Sequence, residues 1–138
     1  MAQARPEKVK ALIAVEPAGI GDPKQAAVLK DIPTLVVYGD NIALDSRWPQ
    51  IRKNGVEFVS EISKAGGKVE ILDLPNAGLR GNSHMLMMDR NNLQVAGLIQ
   101  EWLARQGLYS GDSAAIESAR AELARGNLSQ ARREMMRN

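Results

Sequence analysis

Three short apolar runs punctuate the first half of the chain. Residues 9–15 read Val-Lys-Ala-Leu-Ile-Ala-Val. Residues 34–38, Thr-Leu-Val-Val-Tyr, are rich in β-branched side chains and stop at Gly39-Asp40. Residues 68–74 alternate polar and apolar and stop at Pro75. Runs of this length bounded by Gly and Pro fit strands of a parallel sheet buried on both faces. Between and after them, apolar residues recur at helical spacing. Over residues 49–65, Ile51, Phe58, Val59 and Ile62 share one stripe, and Gly66-Gly67 supplies the stop. Over residues 92–106, Val95, Leu98, Ile99, Trp102 and Leu103 share another, with Gly107 behind them. A shorter helix is expected over residues 24–30. Alternating strands and helices joined by right-handed crossovers make an α/β fold. The expected architecture is a short, Rossmann-like parallel sheet of about three strands sandwiched by helices.

The pattern changes at residue 109. Tyr109-Ser110-Gly111-Asp112 reads as a linker, and residues 113–125 and 129–137 as two amphipathic helices broken at Gly126-Asn127. Their stripes (Ile116, Ala119, Leu123, then Leu128, Ala131, Met135) are thin, so this helical hairpin needs a surface to dock on. That surface is either the main domain or a second subunit. The expected division is an α/β domain over residues 1–108 and a helical extension over residues 109–138.

Composition narrows the function classes. With 138 residues, 44% hydrophobic and 25% charged, the chain can bury one core. A net charge of +2 spread along the chain, with 4% aromatics, argues against nucleic acid as a partner. The absence of cysteine excludes disulfides, thiolate chemistry and Cys-based zinc sites. The first residues, Met-Ala-Gln-Ala-Arg-Pro, lack the apolar segment of a signal peptide. No apolar run reaches the roughly 18–20 residues of a membrane span. A cytoplasmic chain without a membrane partner is the expectation. With one histidine and no phosphate-cradling glycine motif, no metal or cofactor is expected. Met85, Met87, Met88, Met135 and Met136 are expected to fill gaps in the core.

Candidate chemistry concentrates in residues 74–92, which follow a strand and precede the last long helix. They hold His84, the sole histidine. Imidazole titrates near neutrality and is the usual general base, and loops past the C-terminal ends of parallel strands are where α/β sheets build sites. A lone histidine more often packs or caps a helix. Two carboxylates could orient it, and both end strands on the same sheet edge. Glu16 directly follows a buried run, an unnatural place for a solvated side chain. Asp40 sits in Gly-Asp-Asn, an ordinary turn sequence. Either could accept from the imidazole Nδ1–H.

The order Val-Glu-Pro-Ala-Gly, Ile-Pro-Thr-Leu-Val-Val-Tyr-Gly-Asp, Gly-Gly-Lys-Val-Glu-Ile-Leu-Asp-Leu-Pro and Gly-Asn-Ser-His-Met-Leu-Met-Met-Asp-Arg-Asn-Asn resembles the last three βα units of the α/β-hydrolase superfamily. It looks most like a group of bacterial esterases whose catalytic acid is a Glu after the sixth strand. The resemblance runs over residues 9–103. It implies that Glu16 is the acid of a catalytic triad and His84 its base. Asp40, Asn82 and Ser83 would line the site, with Gly81 shaping the histidine turn. Asp89, Arg90 and Asn91 would fix the start of the last helix.

The family's serine sits in a Gly-x-Ser-x-Gly elbow upstream of the acid, a motif this sequence does not contain. Ser83 adjoins His84, where neighbouring side chains rarely meet in hydrogen-bond geometry. Ser46, Ser60, Ser63, Ser110 and Ser113 read as turn, cap or helix-surface residues. The expected function is hydrolysis of carboxylic esters or lactones, by a serine or by water activated at His84. The rival is a non-catalytic α/β remnant used for binding or assembly. A sheet that starts at residues 9–15 leaves that strand as an edge, and exposed edges pair. A homo-oligomer, joined there or through the tail, is therefore expected. The related full-length enzymes are open to secretion.

Overall fold

The computed structural model describes residues 1–109 together with Ala121, Ala124 and Arg125. The helical hairpin expected over residues 113–137 lies outside them but for those three positions. The chain divides into two compact units, Met1–Met85 and Leu86–Asn138.

The first unit carries one sheet of three parallel strands, β1 (Leu12–Val15), β2 (Thr34–Tyr38) and β3 (Val69–Asp73), in the order β1-β2-β3. Ala14 pairs with Val36, which pairs with Ile71. The fold is α/β, as the sequence implied. Only β2 is buried throughout, because it alone has a strand on each side; β1 is half-buried and β3 exposes Glu70 and Ile71. β1 also starts later than its apolar run, since Pro6–Lys8 forms a 3-10 turn and Val9 its cap.

Helix α1 (Trp48–Lys64) connects β2 to β3, and the 3-10 segment Pro23–Leu29 lies between β1 and β2. Two right-handed crossovers that step the same way across a sheet fall on the same face. Accordingly, Ala26, Leu29 and Ile32 share one core with Phe58, Val59 and Ile62 of α1, against Val36 and Tyr38 of β2. Burying a side chain such as Phe58 or Ile62 contributes about 1.5–3 kcal/mol. The segment expected as a helix over residues 24–30 winds as 3-10. Asp22 accepts from the Lys24 N–H at 3.0 Å, Pro23 sets the first φ, and the buried pair Ala26 and Leu29 is spaced by one 3-10 turn.

Tyr38 ends β2 under α1. A Cβ at Gly55, in the middle of α1, would overlap its hydroxyl, so the helix forgoes a side chain there. That hydroxyl is buried without a hydrogen-bond partner among the described residues, and burial raises its pKa. The Arg52 guanidinium lies 5.1 Å from the Tyr38 ring centroid and pairs with Asp73 at 2.5 Å.

The second unit holds a 3-10 turn, Leu86–Met88, and helix α2 (Asn92–Arg105), which buries Val95 and Trp102. Gly107 takes the left-handed conformation behind α2, at φ +70°. Asn92 donates to the Met87 carbonyl at 3.0 Å and ties the turn to the helix start. Three of the methionines expected in the core are not there: Met85, Met87 and Met88 are exposed, and Leu86 is the buried residue of that stretch, while Met135 and Met136 lie outside the described residues. Alternation within so short a turn lets one side chain face inward. Among the described residues no helix is long and apolar enough to cross a membrane.

Candidate active site

The site forms where the three strands end. Glu16 follows β1 and keeps one more rung of the ladder, its N–H donating to the Val37 carbonyl at 2.9 Å. Its φ of +45° is rare for a residue with a Cβ, a conformation that costs on the order of 1–3 kcal/mol and clusters at functional sites. The side chain is 2% exposed. A carboxylate so buried needs partners on both oxygens. Oε1 accepts from the Gly39 N–H at the end of β2, and Oε2 lies 2.8 Å from His84 Nδ1.

His84 arrives from β3, which lies on the far side of β2 from β1. Its loop must therefore cross the exit of β2 to reach Glu16. Asp40 fastens the crossing. Its Oδ2 accepts from the Gly81 N–H at 2.9 Å and its Oδ1 from the Asn41 N–H at 2.7 Å. The Gly81 bond first, and the Asn41 bond second, hold its carboxyl below the usual aspartate range. Gly81 sits at φ +79°, where a Cβ would be strained. The Asn82 side chain is buried, and the Asn82 backbone carbonyl accepts from Asn41 Nδ2 at 3.5 Å. The Ser83 hydroxyl accepts from the Met85 N–H at 3.0 Å, closing a turn around His84.

Of the predicted residues, the structure thus joins Glu16 directly to His84. Asp40 holds the loop and not the ring, while Asn82 and Ser83 shape the turn. Among the described residues no serine hydroxyl bonds to His84. Ser60 and Ser63 lie 12 and 15 positions along α1 from Trp48, roughly 18–22 Å at the rise of a helix. Ser110 and Ser113 lie outside the described residues.

Two further groups face His84. The Trp48 indole, first residue of α1, stacks on the imidazole with centroids 3.8 Å apart and planes 10° from parallel. Sequence reasoning missed it, because at helical spacing Trp48 falls on the core stripe of α1 and nothing local marks its partner. Asp45 accepts from the Arg47 and Trp48 N–H groups at 2.7 and 3.1 Å. Those bonds hold its carboxyl low, and the charge of His84 adds to the effect.

Beside Gly39 and Asp40 opens a crevice of about 580 Å³, with Ile42, Leu44, Pro49 and Pro75 as apolar walls and the Arg52–Asp73 pair as a polar patch. A smaller cleft of about 270 Å³ flanks the residues after Glu16, from Pro17 to Gly21. Among the described residues no three His, Cys, Asp or Glu side chains cluster as a metal site would require.

The carboxylate–histidine pair thus lies past the C-terminal ends of parallel strands, where α/β sheets build their sites. The solved structure of a novel bacterial esterase is 43% identical to this chain, with a TM-score of 0.72 over 76% of this chain and 33% of that one. A probable secreted lipase of a fungal species is 27% identical over 150 residues, which is 75% of this chain and 41% of the lipase. No family model matches the chain. The likeness to an α/β-hydrolase esterase read from the sequence is therefore shown. The chain spans about two-fifths of the length of the curated relative and a third of the solved esterase.

Proposed function

We propose that this chain carries the acid–base part of a hydrolase of carboxylic esters or lactones. The observation that carries the reading is the buried Glu16 carboxylate, which spends one oxygen on the Gly39 N–H and the other on His84 Nδ1. A carboxylate is an acceptor, so the proton sits on Nδ1 and Nε2 is left basic. Among the described residues His84 has no other hydrogen bond, which leaves Nε2 for an incoming hydroxyl. In the proposed reaction Nε2 takes the proton of the attacking oxygen as it adds to the carbonyl. Glu16 stabilises the imidazolium, which then returns the proton to the departing alkoxide. The attacking oxygen is a serine hydroxyl from outside the described site, or water where the ester or lactone is activated. The crevice beside Gly39 and Asp40 offers apolar room for a small ester.

The names of the relatives, an esterase and a lipase, support this chemistry. The test is turnover of a short-chain activated ester and of a lactone by the purified chain, beside His84→Ala and Glu16→Gln. Loss of turnover in both variants is expected; equal background in all three would overturn the reading. A serine-directed covalent probe, followed by mapping of the label, distinguishes a serine from water.

A second reading has one observation in its favour: no serine hydroxyl among the described residues meets His84. In it the chain is a non-catalytic α/β module for binding or assembly. Among the described residues the outer edge of β1 is unpaired, which suits a homo-oligomer joined along that strand. Light scattering on the purified chain measures that. A cytoplasmic location is proposed under either reading, and cell fractionation tests it. The secreted lipase fits the expectation that full-length relatives are exported.

A further inference from the structure

The stacked indole has no part in the acid–base pair, yet it covers one face of the ring that must gain and lose a proton. We propose that Trp48 is a positioning residue for His84, acting as an aromatic platform that favours the protonated imidazole. This rests on the reading above for its catalytic meaning, though not for its test.

The geometry is that of a face-to-face stack, 3.8 Å between centroids and 10° between planes. A neutral imidazole gains little from that alignment beyond dispersion, whereas an imidazolium over the negative face of an indole gains electrostatic attraction. The indole is itself fixed from its own backbone. Asp45 accepts from the Trp48 N–H, and Pro49 presets the helix φ behind it. Glu16 holds the edge of the same ring through Nδ1. Edge and face together leave the ring with little rotational freedom and with Nε2 pointing one way. When Nε2 takes a proton, the positive charge appears between a carboxylate and a π-face.

The charged groups around the ring are Glu16 from the end of β1 and Asp45 from the segment before α1. Asp40, with Arg80 near it, acts on the same loop at Gly81. Asp45 is held by backbone N–H groups, which a side-chain change at Trp48 leaves in place. All of these charges therefore remain in a Trp48 variant, and the difference between variants isolates the indole.

His84 is the only histidine, so its ring-proton resonance in an NMR titration is unambiguous. In Trp48→Leu the titration midpoint should move to lower pH by about 0.5–1, with Trp48→Phe between the two. The wild-type His84 resonance should also lie upfield of its place in Trp48→Leu, because the indole ring current shields it. An unchanged midpoint overturns the proposal. So does a midpoint that moves to higher pH, which would mean that the indole acts by shielding the ring from water and disfavours its charge. If Trp48→Leu fails to fold, Trp48→Phe decides by the same criteria. Because the measurement needs no turnover, an acid-ward shift in a chain that hydrolyses nothing would support the platform while sinking the hydrolase.

Discussion

Consider adding one methyl group to the middle of α1. Gly55→Ala in a helix interior ordinarily stabilises by about 1 kcal/mol, because alanine loses less backbone entropy than glycine. Here the new Cβ overlaps the Tyr38 hydroxyl, which is fully buried and backed by the central strand, so neither side can give way freely. Overpacking of this kind costs about 1–3 kcal/mol. The net effect should be neutral to destabilising by about 2 kcal/mol. Removing the hydroxyl changes the sign. The new Cβ sits 3.5 Å from Tyr38 Cζ, an ordinary contact. Tyr38→Phe also deletes a buried hydroxyl that has no partner among the described residues, a change near neutral or stabilising. In the Tyr38→Phe background, Gly55→Ala should therefore stabilise by about 1 kcal/mol. A double-mutant cycle by urea denaturation, followed by far-UV circular dichroism, should return a coupling of about 1–3 kcal/mol. The reasoning fails if Gly55→Ala has the same sign and size in both backgrounds. It also fails if Tyr38→Phe alone costs more than about 1 kcal/mol, since that would mean the hydroxyl is bonded.

Other expectations follow from the same contacts. Asp40→Asn should blunt the acid sensitivity of folding: the carboxyl is depressed in the folded chain, so its contribution is full above the ordinary aspartate value near 4 and is lost as pH falls through the lower folded value. Denaturation midpoints at pH 7 and pH 3 should converge between wild type and variant as pH drops. Gly67→Ala should cost about 1–3 kcal/mol in urea, because its Cβ would meet the Ile62 carbonyl at 2.9 Å and Lys30 Cα at 3.0 Å, both backbone atoms. Asp73→Asn should cost about 1 kcal/mol or less, since both partners of the Arg52 pair are partly solvated, and a larger loss would reveal a coupled network with Tyr38.

The strands, the two long helices and the α/β class were legible because burial and period agree there. Thr34–Tyr38 is apolar or β-branched at every position and is the one strand flanked on both sides. The 3-10 winding of Pro23–Leu29 was not legible, since one buried pair at i and i+3 fits either helix. At the site, strand order is what the sequence conceals. Glu16 and Asp40 both end strands on one edge, and spacing cannot say which of them meets a histidine returning from the third strand. The crossing of the His84 loop over β2 decides it, and Asp40 is used up on Gly81 in fastening that crossing. Trp48 was hidden for a related reason: its partner is set by how a loop and a helix start meet, which no local period records.

The doubly anchored Glu16 carboxylate has a consequence for covalent labelling. With one oxygen committed to Gly39 and the other to Nδ1, the two ring nitrogens of His84, distinct in any histidine, differ further in that only Nδ1 is engaged by Glu16. An electrophile small enough to reach the imidazole finds one nucleophilic nitrogen and one engaged N–H. Acylation or alkylation of the folded chain would then yield a single regioisomer, at Nε2, and the unfolded chain a mixture. The isomer ratio of a modified His84 would thus report, residue by residue and without a substrate, how much of the population has the site assembled.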